Sequence, residues 1–388
     1  MDREWMEFVV RDLKRKMVFL TGPRQAGKTT LARRILDRTD PLRGVYLNWD
    51  NPDHRKIIRT LAWDRTPSVA VLDEVHKYGR WKTLLKGFHD VEGGRQKLLI
   101  TGSARLDVYR RGGDSLFGRY FRHRLHPFSL GEANRGGKPP STRILLNPAR
   151  WSDSPQVPGD LQEGLLGRGG FPEPFLQGND RTVRRWRLAR RDLVLRQDAR
   201  DLTLIRDLSL LEQLSDMLIA RVGSPVSINS LREDLEVDHK TVTHWIEALE
   251  RLYMVFRVRP FAGSLTRTLR KESKVYFWDW SEVQDDGARF ENFVASHLLK
   301  FCHWLEDIEG IRAEVRYVRD REKREVDFLI LKESKPWVLI ESKLKRHKDG
   351  RLDYFRRKLR VPHAYLVTAD RTAYKDSIPA ARLLASLP

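Results

Sequence analysis

A glycine-rich motif near the amino terminus constrains this chain more than any other feature of its sequence. The stretch 22–29 fits the phosphate-loop pattern G-x-x-x-x-G-K-[ST] at every fixed position. It follows an apolar run at 17–21, which predicts a strand, and it opens a helical pattern at 29–38. Glycines at these places let backbone N–H groups surround phosphate oxygens, and the amino terminus of the helix adds positive potential. We expect the contacts to ATP to come from nine consecutive residues: Gly22, Pro23, Arg24, Gln25, Ala26, Gly27, Lys28, Thr29 and Thr30.

Individual residues of this predicted ATP site have distinct chemical roles. Lys28 is expected to reach the β- and γ-phosphates, and the Thr29 hydroxyl is expected to bind Mg²⁺. A second apolar run, at 68–72, predicts a buried strand that ends in Asp73 and Glu74. Ligands of α/β sheets bind at the carboxyl ends of the strands. We therefore expect Asp73 to hold the magnesium through water and Glu74 to polarise the attacking water.

A third apolar run, at 97–101, ends in small polar residues and predicts another strand beside the site. By position, Thr101 or Ser103 would lie near the γ-phosphate as a sensor. Phosphoryl transfer often uses an arginine to stabilise the charge of the transition state. The sequence does not choose among the four arginines that follow, and Arg119, in the sequence Phe-Gly-Arg, is our first choice. The other three candidates are Arg105, Arg110 and Arg111.

The order of apolar runs and helical patterns predicts an α/β chain with several domains. Alternation at the amino-terminal end is typical of a P-loop domain with a parallel sheet. Three helical patterns and a strand at 255–261 follow later, which is the order of a winged helix. The predicted parts are a P-loop ATPase domain at 1–130, a Pro/Gly-rich linker with an Arg-rich helix at 131–204, a winged-helix domain at 205–262 and a second α/β domain at 263–388.

Composition excludes several classes of protein. A length of 388 residues predicts more than one domain, because single cores rarely grow beyond about 250–300 residues. The single cysteine, Cys302, excludes an internal disulfide framework and a cysteine-based zinc finger. No apolar run reaches the roughly 18–20 residues that cross a bilayer. The first residues carry acids and no cleavage site typical of a signal peptide, so we expect no membrane partner and a cytoplasmic protein.

The net charge of +20 arises from 73 Lys and Arg against 53 Asp and Glu. Such a chain attracts polyanions, and DNA is the first candidate partner. An arginine-rich composition also arises from the base composition of a genome, which is the alternative explanation. Basic residues concentrate at 105–124, 181–200 and 316–360, whereas residues 205–262 carry a net charge of −2, from seven basic and nine acidic residues.

A group of carboxylates near the carboxyl terminus predicts a second site. Glu341 and Lys343 end an apolar strand and share one face of it. Asp327 joins that face if the preceding hairpin has the five-residue loop 333–337, and a two- or four-residue loop would place it on the other face. With Glu291 on an upstream helix, these groups form a hypothetical nuclease site that would hold a second Mg²⁺ or Mn²⁺. The alternative is an ordinary polar strand edge.

Several short segments, taken in order, resemble one known family. They are GPRQAGKTT, VLDEVHK, TGSARL, FGRY, GGFPE (169–173), ENFV, EVDFLI and ESK. The family is that of prokaryotic AAA-like ATPases of the archaeal-ATPase type with a C-terminal domain of formerly unknown function. The resemblance covers nearly the whole chain. It implies an AAA-like nucleotide domain, a winged helix and a C-terminal fold similar to PD-(D/E)XK nucleases.

The resemblance also assigns roles to individual residues. It places the magnesium acids on Asp73 and Glu74. It places the nuclease-like signature on Glu291, Asp327, Glu341 and Lys343. Ser342 departs from the family pattern, in which an apolar residue is more common, and this position is expected to point away from the metal.

Three interpretations of the function remain at this point. The first is a DNA-associated ATPase with a nuclease or nuclease-derived domain. The second is a nucleotide-dependent switch in regulation or defence, which cuts no nucleic acid, and the third is a DNA-binding regulator that acts through the winged helix. The acidic stretch 205–262 argues against the third, because phosphate contacts supply most DNA affinity. The basic stretch 316–360, close to the carboxylates, favours the first. The sequence does not identify the DNA substrate. It also leaves open whether the second site cleaves DNA and whether the chain forms a homo-oligomer.

Overall fold

The computed structural model describes most of the chain as two compact units, Asp2–His126 and Pro127–Pro388. The domain limits expected at 130, 204 and 262 stay predictions. The described residues are 1–39, 44–66, 68–92, 94–102, 116–153, 156–200, 205, 207–261, 272–347, 350–374 and 376–388.

The first unit alternates helices with strands over its described residues. Its helices are α1 Met6–Leu13, α2 Lys28–Thr39, α3 Pro52–Thr60 and α4 Trp81–Glu92. Its strands are β1 Met17–Thr21, β2 Val45–Asn48, β3 Val69–Asp73, β4 Lys97–Thr101 and β5 Tyr120–Arg124. A 3₁₀ turn, Val75–Lys77, follows β3.

The five strands form one parallel sheet in the order β2-β3-β4-β1-β5. Every residue of β1 and β3 is buried, as expected for a parallel sheet covered on both faces. On one face, Phe19 and Leu72 pack in a core with Ile58 of α3 and Phe88 of α4. The predicted α/β domain with a parallel sheet is confirmed. Since all strands point the same way, the phosphate loop after β1 and Asp73 at the end of β3 lie at one edge of the sheet.

The second unit begins with short helices where a loop-like linker was expected. Pro172 starts a helix rather than breaking one, since a missing N–H costs nothing in the first turn. The helices of this part are α5 Leu130–Asn134, α6 Thr142–Leu145, α7 Gly159–Arg168, α8 Pro172–Gln177 and α9 Asp180–Asp192, with a 3₁₀ helix at Pro148–Asp153 and a π-helix at Leu193–Asp198.

The Arg-rich helix α9 is partly buried. Arg190 is 2% exposed and its guanidinium bonds to Glu282 Oε1 at 3.2 Å and to the Tyr253 carbonyl at 3.3 Å. Its cation lies 4.3 Å from the centre of the Phe171 ring. Arg190 is therefore a core residue rather than a phosphate contact.

The remaining helices and strands of the second unit surround a large sheet. The helices are α10 Leu208–Ile219, α11 Ile228–Leu235, α12 His239–Arg251, α13 Asp286–Ile308, α14 Arg351–Lys358 and α15 Ala380–Ala385, with a 3₁₀ turn at Trp280–Glu282. The strands are β6 Pro225–Val226, β7 Val255–Pro260, β8 Ser273–Phe277, β9 Ala313–Arg319, β10 Glu325–Lys332, β11 Lys335–Lys343, β12 His363–Thr368 and β13 Ile378–Pro379.

These strands form a single eight-stranded sheet in the order β13-β12-β11-β10-β9-β7-β8-β6. The pair β7–β8 is antiparallel, and β7 also pairs with β9 in parallel, with Arg259 opposite Arg316. One sheet therefore contains strands from both sides of position 262, where the sequence predicts a domain limit. Among the described residues, none of the helices combines the length and the apolar character that crossing a bilayer requires.

Candidate nucleotide site and carboxylate cluster

The phosphate loop has the backbone that its two glycines allow. Gly22 has φ 140° and Gly27 has φ 92°, which side chains disfavour. A Cβ on Gly22 would lie 2.2 Å from the Leu125 carbonyl oxygen, so only glycine fits there. Helix α2 begins directly after the loop, at Lys28. The loop and the helix amino terminus together form the anion-binding arrangement that the sequence predicts.

Lys28 is buried within the loop, with 7% of its surface exposed. Its ammonium donates to the carbonyls of Gly22 at 3.0 Å and Pro23 at 2.6 Å. The loop that would surround the phosphates thus holds this cation. The lysine side chain is flexible enough to leave the carbonyls of Gly22 and Pro23 for phosphate oxygens.

Asp73 receives hydroxyl donors from several neighbouring elements. Its Oδ2 accepts hydrogen bonds from Thr29 Oγ1 at 3.0 Å and from Tyr46 at 2.6 Å. Its Oδ1 accepts a hydrogen bond from Thr101. The structure thus brings together Thr29 and Asp73, the two residues predicted to bind magnesium, and adds Thr101 to them. All three donors are uncharged, so they orient the carboxylate without cancelling its charge.

Glu74 follows β3 in a left-handed backbone conformation, with φ 57°. Its amide donates to the Thr101 carbonyl at 2.9 Å, and its carboxylate lies 3.4 Å from Lys77 Nζ. Burial raises the pKa of Glu74 above its ordinary value, and the charge of Asp73 acts in the same direction. A carboxylate with a raised pKa beside a phosphate loop is suited to accept a proton from water.

Two residues of this site were missed by the sequence reasoning. Tyr46 on β2 bonds to Asp73, although nothing in its local sequence marks it. Arg3, only 6% exposed, donates to the carbonyls of Ala26 at 2.7 Å and His126 at 2.5 Å. Arg3 thereby fixes the phosphate loop through one of its carbonyl groups.

Other predicted residues do not join this group. Ser103 lies outside the described residues, as do Arg105, Arg110 and Arg111. Arg119 precedes β5 and bonds to Asp90, with Nε 3.0 Å from Oδ1. In the parallel pair, Tyr120 lies opposite Met17, the first residue of β1. Arg119 is therefore at the other end of the strands, about 17 Å from the phosphate loop at roughly 3.3 Å per residue. Within one chain the structure does not bring Arg119 to the γ-phosphate position.

The carboxylate cluster of the second unit depends on the register of the hairpin β10–β11. The turn consists of two residues, Glu333 and Ser334, both with positive φ, rather than the expected five. Strand β11 contains a bulge, because Ile330 pairs with Val338 and Leu331 pairs with Pro336. Pro336 has no N–H for the ladder, and bulges occur at such positions. The extra residue shifts the register by one and places Asp327 opposite Glu341, so the predicted face is correct although the predicted loop is wrong.

All four residues predicted for this second site lie in one cluster. Lys343 Nζ is 2.8 Å from Glu341 Oε1 and 4.0 Å from Asp327 Oδ2. The amide of Asp327 donates to Glu341 Oε2 at 3.3 Å. Glu291 reaches the cluster from α13, whose apolar side is buried as expected, and shares a lysine partner with Asp327.

Ser342 does not point away from this cluster, contrary to expectation. Its hydroxyl and its amide both donate to Asp327 Oδ2, each at 2.9 Å. A serine here thus fixes the orientation of Asp327, which an apolar residue at this position does not do through a side chain.

Lys274 is the main residue of the cluster that the sequence reasoning missed. It lies on β8, it is 1% exposed, and its Nζ is 2.7 Å from Glu325 Oε1, 3.1 Å from Glu291 Oε1 and 3.6 Å from Asp327 Oδ1. Burial alone would lower the pKa of Lys274, but the three carboxylates outweigh it and raise this pKa well above its ordinary value. The three carboxylates therefore favour the charged form of this lysine.

The cluster does not fit a divalent ion in this arrangement. Mg²⁺ needs close to six oxygen ligands at about 2.1 Å. Here the ammonium of Lys274 fills the space between the carboxylates. Within the part of the chain that the structure describes, no group of three or more His, Cys, Asp or Glu side chains is arranged to hold a metal.

Comparison with family models gives three matches along the chain. Residues 14–134 match an AAA domain. Residues 160–282 match a domain of unknown function (DUF8612), and residues 286–383 match another (DUF4143). These matches do not test the winged-helix and PD-(D/E)XK interpretations, which stay predictions.

Two similar proteins are named only as uncharacterized. An uncharacterized protein of Mycobacterium tuberculosis is 23% identical over 340 residues, covering 83% of this chain and 69% of the relative. An uncharacterized protein of Methanocaldococcus jannaschii is 22% identical over 343 residues, covering 77% and 71%.

Solved structures align over much of the chain at low similarity. The Aeropyrum pernix ORC1 protein in complex with DNA aligns with a TM-score of 0.33 and 15% identity, covering 75% of this chain and 91% of that one. The Thermotoga maritima RuvB Holliday junction branch migration motor aligns with a TM-score of 0.34 and 16% identity, covering 69% and 93%. Similarity of this degree does not by itself establish a shared activity. The AAA match at residues 14–134, the phosphate loop and the parallel sheet together identify an AAA-like ATPase fold in the first unit.

Proposed function

We propose that this protein is an ATPase that acts on or near DNA, with ATP and Mg²⁺ bound at the phosphate loop. One observation carries the nucleotide site: Thr29 Oγ1 lies 3.0 Å from Asp73 Oδ2, where the loop meets the end of β3. Oxygen ligands of this kind suit Mg²⁺, which usually binds one or two protein groups together with substrate phosphates. Bound Mg²⁺ supplies positive charge to the phosphate oxygens.

Different residues of the first unit have different roles in hydrolysis. Lys28 and the N–H groups of the loop bind the β- and γ-phosphates and offset their charge. Glu74 orients the attacking water and takes its proton, and its raised pKa brings its basicity closer to neutral pH. Asp73 holds its position through Tyr46 and Thr101. Water adds to the γ-phosphorus, the bond to the β–γ bridging oxygen breaks, and ADP and phosphate leave.

The distribution of charge supports nucleic acid as the partner. Residues 2–126 contain 27 Lys and Arg against 15 Asp and Glu, a net charge of +12. Residues 127–388 contain 46 against 38, a net charge of +8 on a unit twice as long. The positive field is therefore densest on the unit that contains the phosphate loop. Such a field favours contact with a DNA backbone.

The basic stretch 316–360 supports DNA contact less than its composition suggests. Arg324 bonds to Asp320 at 2.7 Å, and Arg346 bonds to Asp376 at 2.8 Å. Arg316 bonds to Glu314, and Lys343 to Glu341. Carboxylates thus offset several of the cations that were expected to attract phosphates.

A second candidate function is a nucleotide-dependent switch that cuts no nucleic acid. The observation that favours it is Lys274, whose ammonium lies among the carboxylates of the nuclease-like cluster. The acidic composition of residues 205–262 agrees with a role in binding a protein. Under this alternative, the second unit responds to the nucleotide state and contacts a partner.

An ATPase assay with different DNA substrates separates the two candidates. Phosphate release is measured without DNA and with single-stranded, duplex and branched DNA, at two salt concentrations. We expect DNA to stimulate turnover, and we expect the stimulation to weaken as salt rises. Turnover that no DNA changes supports the switch. A wild-type rate equal to that of Lys28→Ala contradicts ATP hydrolysis itself.

A further inference from the structure

The ammonium of Lys274 is the centre of the carboxylate cluster in the second unit. It lies within 3.6 Å of oxygens from Glu291, Glu325 and Asp327, which come from helix α13 and strand β10. Only 1% of the side chain is exposed. The lysine stem thus brings one positive charge from β8 into the interior, at the point where three negative groups converge.

The charges of the cluster are balanced by basic groups of the same chain. Each of its four carboxylates lies within 4.0 Å of a basic nitrogen. The pairs are Lys274 with Glu291, Glu325 and Asp327; Lys343 with Glu341 and Asp327; Arg319 with Glu325 at 3.3 Å; and Arg351 with Glu341 at 3.8 Å. Four carboxylates therefore face four basic side chains.

Further hydrogen bonds occupy the carboxylate oxygens. Glu291 Oε1 accepts from Tyr276 at 2.6 Å, and Asp327 Oδ2 accepts two bonds from Ser342. Glu341 Oε2 accepts the Asp327 amide. A divalent ion would have to replace these donors and would meet a buried cation. Bringing like charges together inside a protein is costly.

We propose that Lys274 is the resident cation of this cluster, so that the cluster takes up no divalent ion unless that charge is removed. Lys274 then does part of what a bound metal does in a nuclease site: its single charge offsets part of the negative charge of Glu291, Glu325 and Asp327, and it holds three elements together. This proposal concerns the second unit alone and does not depend on ATP hydrolysis. It gives the cluster a structural role, although its residue types alone predict a divalent-metal site.

The test measures Mn²⁺ binding by the full-length protein without nucleotide, by electron paramagnetic resonance and by calorimetry. The variants are Lys274→Met, which keeps the length of the side chain without its charge, and Lys274→Arg, which keeps the charge. We expect one Mn²⁺ to bind Lys274→Met at least about tenfold more tightly than it binds the wild type or Lys274→Arg. Adding Asp327→Asn to Lys274→Met should abolish the gained site and leave any binding at Asp73 unchanged.

Two outcomes contradict the proposal. One is a Mn²⁺ site in the wild type that Asp327→Asn removes, since the cluster would then hold metal beside Lys274. The other is a folded Lys274→Met that binds no more Mn²⁺ than the wild type. If Lys274→Met does not fold, the comparison of wild type with Asp327→Asn still decides. Equal Mn²⁺ binding by these two proteins supports the proposal, and weaker binding by Asp327→Asn overturns it.

Discussion

Asp73 and Asp327 are both buried and both belong to strands, and their surroundings differ in one respect. Asp73 accepts hydrogen bonds from the hydroxyls of Thr29, Tyr46 and Thr101. Asp327 accepts hydrogen bonds from Ser342 and lies beside the ammonium groups of Lys274 and Lys343. Hydroxyl donors orient a carboxylate and leave its charge available to an external cation. Ammonium groups orient it and cancel the charge.

This difference explains the two roles. Asp73 is suited to a substrate that brings a metal ion, whereas Asp327 is suited to stabilising the fold. The Asp73 site is open to a ligand, since Thr29 lies on the exposed start of α2. The Asp327 site is closed by Lys274, and burial raises the pKa of Glu291 to about 7, with the charge of Asp327 acting in the same direction. Sequence motifs alone do not separate these cases, because both sites place acidic residues next to apolar runs.

The largest expected effect comes from removing the cation of the open site. Lys28→Ala should lower ATP turnover by more than about 100-fold, because the buried Lys28 ammonium is held inside the loop that would surround the phosphates. Phosphate release measures the loss, and thermal unfolding checks that the fold is retained. Lys56→Ala, at a side chain that is 84% exposed on α3, is the matched control. Wild-type turnover in Lys28→Ala would contradict the assignment of the phosphate loop and Asp73 as the site of ATP hydrolysis.

Glu74→Gln tests whether the open site performs chemistry or only binds. We expect turnover to fall by about 100-fold while ATP affinity changes little, because the carboxylate acts on water. Calorimetry measures the affinity and phosphate release the rate. In the wild type the rate should fall on the acid side at a pH above the ordinary glutamate value, since the pKa of Glu74 is raised. Loss of ATP binding in the variant would assign Glu74 a structural role.

The same substitution at both aspartates sharpens the comparison directly. Asp73→Asn should raise the Mg²⁺ concentration needed for half-maximal turnover by about tenfold, with little change in stability. Asp327→Asn should leave turnover unchanged and lower the free energy of unfolding by about 3 kcal/mol, because two lysines lose a buried partner. Magnesium titrations and denaturant unfolding measure these effects. If both variants change the magnesium requirement, the two carboxylates do not differ as described.

The pH dependence of stability probes the closed site. The pKa of Glu291 is about 7 in the folded state and near 4.5 when unfolded, so the folded state holds the extra proton between these values. Glu291 therefore makes the free energy of unfolding fall as pH rises from about 4.5 to about 7. The wild type should lose about 3 kcal/mol relative to Glu291→Gln across this window. Glu322→Gln, at an exposed side chain, should show no such difference.

The smallest expected effect concerns the helix α12. Its exposed cationic candidates, His239, Lys240 and His244, lie in an acidic region of the chain. Lys240→Glu in the full-length protein should change the affinity for duplex DNA by less than about threefold at physiological salt. Fluorescence anisotropy measures the affinity, and His239→Ala is a companion variant. A loss of tenfold or more would make α12 a DNA-binding helix and would restore the regulator interpretation.

The sequence predicts the parts of the molecule that depend on neighbouring residues. The phosphate loop is a local motif, and the apolar runs that become β1, β3 and β4 are local patterns. The sequence does not predict Tyr46 or Lys274, because the strands that carry them reach their partners only through the sheet order. The hairpin shows a third limit. The face on which Asp327 lies depends on the bulge opposite Leu331 as well as on the turn. The sequence feature that indicates the bulge is Pro336, which has no N–H.

The pairing of β7 with β9 has a consequence for synthesis on the ribosome. The chain emerges amino terminus first, so α11, α12 and β8 are complete before β9 and β10 exist. During that interval Lys274 has none of the carboxylates of β10, and the edge of β7 has no partner. The strand β7, which follows the helices α11 and α12, therefore lacks its pairing with β9 until residues far downstream have been synthesised. A nascent chain stalled before β9 would expose that edge to chaperones, although every helix of the earlier part has already been made.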